Sequence, residues 1–189
     1  MNTPNKLTLL RIIMVPFFMA FLLWTDCPHN YLIAGLLFGA AAITDCIDGK
    51  LARKHNQITD FGKFMDPIAD KLLVCGALVA MVELGLCSSW VVIVVLLREF
   101  LVQSLRLMAA AGDGKVIAAN MWGKVKTVTQ MIAIIAVMAF QEGVYIGLFP
   151  DGNLMTLLGE ILLWISAAAT LISGVVYLKQ NINFVKNTK

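Results

Sequence analysis

Six continuous apolar stretches, at residues 7–24, 31–51, 66–86, 89–111, 121–141 and 154–178, leave this chain few ways to fold. Each is close to the ~20 residues that an α-helix needs to cross a bilayer. Strands of a membrane barrel would alternate in polarity and be about half as long, so a barrel is excluded. Composition agrees: 59% of residues are hydrophobic, 14% are charged and the mean hydropathy is +0.81, outside the range of a soluble globular domain. No low-complexity run, internal repeat or long linker divides the sequence. The expected fold is therefore an all-α integral membrane protein, a bundle of six transmembrane helices forming a single domain over residues 1–189. The first stretch is long for the apolar core of a signal peptide and no small-x-small cleavage pattern follows it, so helix 1 is expected to be retained.

Lys and Arg hold cytoplasmic loops in place during insertion, and their distribution here is one-sided. Lys6 and Arg11 precede or open the first helix. Lys50, Arg53, Lys54, Lys63 and Lys71 surround the second connection, Arg106, Lys115, Lys124 and Lys126 the fourth, and Lys179, Lys186 and Lys189 end the chain. The connections at 25–30, 83–88 and 142–153 contain neither residue. Both termini are thus expected in the cytoplasm. The net charge of +3, confined to one side, points to anionic lipid or phosphate substrates and not to nucleic acid.

Other features read as packing. Cys27, Cys46, Cys75 and Cys87 show no CxxC pairing and are expected to be ordinary packing residues. Gly35 and Gly39 form a small-xxx-small pattern that permits close helix approach, and Pro16 can kink helix 1. Trp24, Tyr31, Trp90 and Tyr145 near the outer boundary, with Trp122 and Tyr177 near the inner one, fit an aromatic belt.

Chemistry concentrates between residues 44 and 71. Asp45 and Asp48 are three apart and Asp66 and Asp70 four apart, so each pair shares one face of its helix. Helices 2 and 3 run antiparallel through a short cytoplasmic connection, which lets the two pairs face each other near the inner surface. Two like charges 4 Å apart repel by about 4 kcal/mol at an effective dielectric of 20, so four carboxylates in one place call for a bound cation. Hard oxygen ligands favour Mg²⁺ or Mn²⁺, and two such ions would balance four Asp charges. Asp60 reads instead as a helix cap or a solvated residue. A buried Asp costs roughly 2.5–3.5 kcal/mol on insertion scales, a cost borne for function. Gly49 and Gly62 each lie four residues from a carboxylate and leave room beside it for a flat base or a pyrophosphate. Ala52 completes that small surface and Arg53 is available to a phosphate oxygen.

Together these residues read Asp45-x2-Asp48-Gly49-x2-Ala52-Arg53-x8-Gly62-x3-Asp66-x3-Asp70, which resembles the full signature of the CDP-alcohol phosphotransferase family at all eight specified positions. The resemblance covers essentially the whole chain. It implies a six-helix membrane enzyme, typically a homodimer, with both termini cytoplasmic. It further implies that Asp45, Asp48 and Asp66 ligate metal and that Asp70 completes the metal-binding set and acts near the acceptor hydroxyl. Asp48, Gly49, Ala52, Arg53, Gly62 and Asp66 would lie along the nucleotide and its pyrophosphate. The donor would be CDP-diacylglycerol, with the active site facing the cytoplasm.

Three further stretches, Asn2-x-Pro4-Asn5-x-Leu7-Thr8-x2-Arg11, Arg98-Glu99 and Gly123-Lys124-x-Lys126-Thr127-x2-Gln130, look like the bacterial phosphatidylglycerophosphate synthases. That likeness implies glycerol 3-phosphate as the acceptor and a bacterial plasma membrane as the location. Independently, Arg98, Arg106, Lys124 and Lys126 add positive charge to helices 4 and 5, which a dianionic acceptor phosphate requires. For Lys124, Lys126 and Arg106, snorkelling to headgroups is the alternative. For Arg98, both a structural partner on another helix and a substrate phosphate stay open, and Glu99 reads as structural, since adjacent side chains on a helix point in different directions. His55 reads as a solvated loop residue. Competing readings are a cardiolipin-type or phosphatidylinositol-phosphate-type synthase with another acceptor, and a cation transporter, because intramembrane carboxylates also mark ion paths. A polyprenyl transferase would carry DDxxD runs, which are missing.

Overall fold

The computed structural model describes the backbone of residues 3–54, 60–112 and 121–186, and the side chains of residues 5, 8–44, 65, 68–69, 71–108 and 121–181. The described chain forms six helices: α1 (Thr3–Leu23), α2 (Asn30–Lys54), α3 (Asp60–Glu83), α4 (Ser89–Gly112), α5 (Met121–Tyr145) and α6 (Gly152–Lys186). All six apolar stretches are helical. The helices around the acidic segment run further than hydropathy indicates, so α2 continues to Lys54 and α3 begins at Asp60, the residue read as a cap.

Local chemistry sets several helix ends. After α3, Gly85 takes a φ of 70°, its N–H bonds to Val82 and the Leu86 N–H bonds back to Met81 O at 2.8 Å. After α5, Gly147 takes a φ of 75°, with the Leu148 N–H on Gly143 O at 2.8 Å. Both are glycine-terminated helix ends in which a residue with a Cβ would be strained. The Asp151 side chain accepts from the Asn153 and Leu154 amides at 3.0 and 3.1 Å, capping the start of α6. Near its other end α6 leaves helical geometry at Asn181 (φ −118°, ψ 15°), whose side-chain amide donates to Tyr177 O at 2.8 Å.

The packing order interlaces the sequence. Helix α1 packs on α2 and α3, α5 on α6 and α2, and α4 on α6 and α3. Phe18, Leu22, Phe38, Leu73, Leu78, Met81, Val91, Ile134, Met138 and Leu163 fill the core. Glycines sit at several helix contacts: a Cβ on Gly76 would stand 3.1 Å from Met19 Sδ, one on Gly159 3.0 Å from Val137 Cγ2, and one on Gly174 3.0 Å from Arg98 Cγ. The expected Gly35/Gly39 contact is looser. A Cβ at Gly35 would make only an ordinary 4.0 Å contact with Met138, and one at Gly39 would meet nothing.

The outer surface is apolar. Phe17, Leu36, Ile43, Trp90, Ile93, Phe100, Ile132, Ile165 and Val175 are all exposed and spread over five of the six helices. So large an apolar exterior is that of a bundle solvated by lipid. Among the described residues, Met121–Tyr145 and Gly152–Asn181 are long and apolar enough to cross a bilayer, whereas the apolar runs of α1 and α2 are shorter, Thr8–Leu23 and Asn30–Thr44. The protein is an all-α, membrane-associated helical bundle.

Burial corrects one expectation, the place of Tyr177 in the aromatic belt. Arg11, one of the two charges that precede or open the first helix, is completely buried. Tyr177 is 2% exposed and belongs to the interior, not to the aromatic belt. Trp24, Trp90, Trp122 and Tyr145 are exposed as expected. At the end of the bundle formed by the 24–29 and 146–151 connections, His29 Nδ1 pairs with Glu142 Oε1 at 2.5 Å while the Leu32 N–H donates to Glu142 Oε2 at 3.2 Å, tying α2 to α5. Cys27 and Cys87 are free thiols, and burial, followed by the nearby Glu160 carboxylate, pushes the Cys87 thiol up to about 12. Cys46 lies outside the residues whose side chains are described.

Candidate active site

All eight signature residues lie on helix: Asp45, Asp48, Gly49, Ala52 and Arg53 on α2, and Gly62, Asp66 and Asp70 on α3. Their side chains lie outside the described residues, as does His55. Among the described residues no group of three or more His, Cys, Asp or Glu side chains is gathered. The helices that carry the signature are described on either side of it. On α2, Asn30, Ala34, Phe38 and Ala41 form a buried stripe, and on α3, Ala69, Leu73, Ala77 and Ala80 form another.

Immediately after Asp70 a polar cluster crosses four helices. Glu99 on α4 accepts on a single oxygen, Oε1, from Lys126 Nζ of α5 at 2.5 Å and from Arg98 Nη1 at 3.0 Å. Arg98 also donates through Nη2 to Ser173 Oγ of α6 at 2.8 Å. Lys71 on α3 donates to Gln103 Oε1 of α4 at 3.0 Å. Lys71, Glu99, Lys126, Thr127 and Gln130, with Val74, Cys75 and Val95, line a small, partly open pocket. Arg98, Glu99 and Lys126 side chains are each about nine-tenths buried. Such a buried charge cluster contributes little net stability, because desolvation offsets the ion-pair attraction. Its lining carries two cations, Lys71 and Lys126, against one carboxylate, with Arg98 behind, and this surplus positive charge suits an anion.

Of the four cations expected at the acceptor phosphate, Arg98, Arg106, Lys124 and Lys126, only two come together. Arg98 and Lys126 do converge, on Glu99. Arg106 stands two turns further along α4 and engages Tyr177, donating from Nε to the phenol oxygen at 3.3 Å with the guanidinium 5.5 Å from the ring centroid. Lys124 is exposed, and its position, two residues before Lys126, puts it on the other side of α5. Glu99 does pair with its neighbour Arg98, because the long Arg chain curls back to reach it, and Ser173 supplies the partner on another helix.

Several residues were not nominated from sequence: Lys71, Gln103, Ser173, Tyr177 and, as a pocket residue, Gln130. A signal for some of them was available. Glu99 and Gln103 are four apart, as are Lys126 and Gln130, so each pair extends one polar face into an otherwise apolar helix.

The family described as CDP-alcohol phosphatidyltransferase matches residues 1–172. The chain is 41% identical to the CDP-diacylglycerol–glycerol-3-phosphate 3-phosphatidyltransferase of Bacillus subtilis, over 99% of this chain and 98% of that protein. It is 39% identical to the protein of the same name from Haemophilus influenzae, over 94% and 92% of the two chains. The protein so named from Rickettsia bellii is 38% identical over 94% of both. With the signature intact on α2 and α3 and the match running through most of α6, the chain belongs to the CDP-alcohol phosphatidyltransferase family.

Proposed function

We propose that this chain transfers a phosphatidyl group from CDP-diacylglycerol to glycerol 3-phosphate, giving phosphatidylglycerophosphate and CMP, at the cytoplasmic face of a bacterial plasma membrane. The observation that carries the reading is the cationic pocket of Lys71, Lys126 and Glu99, backed by Arg98, which opens one residue beyond Asp70. A phosphorylated acceptor needs such charge and an uncharged alcohol does not. The names of relatives aligned along nearly the whole chain support the same acceptor.

The buried stripe of α2 (Asn30, Ala34, Phe38, Ala41) steps on by three and four to positions 45, 48 and 52. That of α3 (Ala69, Leu73, Ala77) steps back to 66 and 62. On that register Asp45, Asp48, Asp66 and Asp70 form a hard-oxygen donor set of four carboxylates, which fits Mg²⁺ or Mn²⁺, two ions balancing the charge. When bound, such ions neutralise the pyrophosphate and stabilise the departing phosphate. Gly49, Ala52 and Gly62 leave space along the nucleotide, with Asp48 and Asp66 beside it, and Arg53 meets a phosphate oxygen. Asp70 takes the proton from the primary hydroxyl of the acceptor. That oxygen bonds to the lipid-bearing phosphorus, the bond from this phosphorus to the bridging oxygen breaks, and CMP leaves with the electron pair. Arg98 and Lys126 hold the acceptor phosphate, while Arg106 and Lys124 add attraction along its approach.

The same reading takes all six helices across the membrane in one domain with both termini cytoplasmic, the chain acting as a homodimer and drawing its donor from the lipid around it. The test is release of CMP from CDP-diacylglycerol by the purified chain with Mg²⁺ or Mn²⁺ and a panel of alcohols. Turnover is expected with glycerol 3-phosphate. Asp70→Asn should remove most turnover while the CDP-lipid still binds. Equal loss of both contradicts the base role, and absence of turnover with any alcohol overturns the reading.

A further inference from the structure

The pocket behind Asp70 contains one polar group with nothing to bond. Gln130 is 1% exposed, and neither its Nε2 nor its Oε1 has a hydrogen-bond partner among the described residues. The other polar groups of the lining are committed: Lys71 to Gln103, Lys126 to Glu99, and the Thr127 hydroxyl to Gly123 O at 3.0 Å. A buried amide left unpaired costs about 1–3 kcal/mol, which a Leu or Met of similar size would avoid. The carboxamide is therefore held ready for a ligand.

Its chemistry says which part of a ligand. A carboxamide presents an N–H donor and a carbonyl acceptor side by side. A phosphate group is an acceptor and would use only the first, and it has cations nearby to claim it. A hydroxyl both accepts and donates through one oxygen and satisfies both. Gln130 follows Lys126 by one turn of α5, about 6 Å along the axis, so an acceptor phosphate at Lys126 brings hydroxyls of its short carbon chain toward the amide. We propose that Gln130 is a specificity-determining residue that reads the non-reacting, secondary hydroxyl of the acceptor. This inference rests on the acceptor being glycerol 3-phosphate, as proposed above.

The probe is 3-hydroxypropyl phosphate, which keeps the phosphate and the primary hydroxyl and lacks the secondary one. The purified full chain, with Mg²⁺ and CDP-diacylglycerol, is assayed for kcat/KM on both acceptors, as wild type, Gln130→Leu and Gln130→Met. Wild type should prefer glycerol 3-phosphate by up to about a hundredfold, since an analogue without the hydroxyl leaves the buried amide unpaired. In either variant the preference should fall to within a few-fold of one. Because the substitutions remove an unpaired buried amide, their melting temperatures in detergent should match or exceed wild type. A preference retained in both variants, no preference in wild type, or destabilised variants would each overturn the assignment of Gln130. If wild type turns over another alcohol but not glycerol 3-phosphate, it is the acceptor reading that fails, and the assignment falls with it.

Discussion

One oxygen of Glu99 accepts from both Arg98 and Lys126, so the two cations are held within reach of one another. Charge-assisted hydrogen bonds contribute about 1.5–3 kcal/mol each, and every 1.4 kcal/mol is a factor of ten. Lys126→Ala and Arg98→Ala should therefore each raise KM for glycerol 3-phosphate about ten- to a hundredfold and leave KM for the CDP-lipid nearly unchanged. Steady-state kinetics in detergent, varying each substrate in turn, checks this, and an unchanged acceptor KM would remove the residue from the pocket. At this scale the sequence was partly legible. Arg98 and Lys126 stand out as charges in apolar helices and do converge on Glu99. Tyr177 departs from the aromatic belt because an aromatic residue's place near a helix end says which end it occupies, not whether it faces inward. The bond between Arg98 and Glu99 escaped a rule about Cβ directions, since a side chain as long as Arg ends far from where its Cβ points.

The helices themselves were legible from continuous hydrophobicity, and their ends were not. Hydropathy falls where charge begins, but a helix continues through charged residues until a cap or an unfavourable dihedral stops it. That is why α2 runs to Lys54 and α3 starts at Asp60, which places the whole signature on regular helix. Where the stop is written in side-chain chemistry, it can be tested. Asp151→Ala removes both hydrogen bonds at the start of α6 and should cost about 1 kcal/mol, seen as a lower melting temperature with kcat/KM unchanged. Close helix contacts were the least legible feature. Gly76, Gly159 and Gly174 mark them, whereas Gly39 of the expected motif does not. A glycine is needed only where a neighbour arrives, and arrival is decided by the rest of the bundle.

For the molecule as a whole, apolar length and the placement of Lys and Arg were enough to expect a helical membrane bundle, and the exposed Phe17, Leu36, Phe100, Ile132 and Val175 agree. The order in which the helices pack was not expected. Helices α2 and α3 touch α5, and α4 touches α6, so the two parts of the chain on either side of residues 113–120 are woven together. Arg98 meets Ser173, Glu99 meets Lys126, and His29 meets Glu142 across that division. Neither part owns a complete anion pocket. Residues 1–112 and 113–189, produced as separate polypeptides in one cell, should each be inert alone and should recombine in the bilayer into a working transferase, because what joins them is the interleaved contact surface and not the peptide link that was cut.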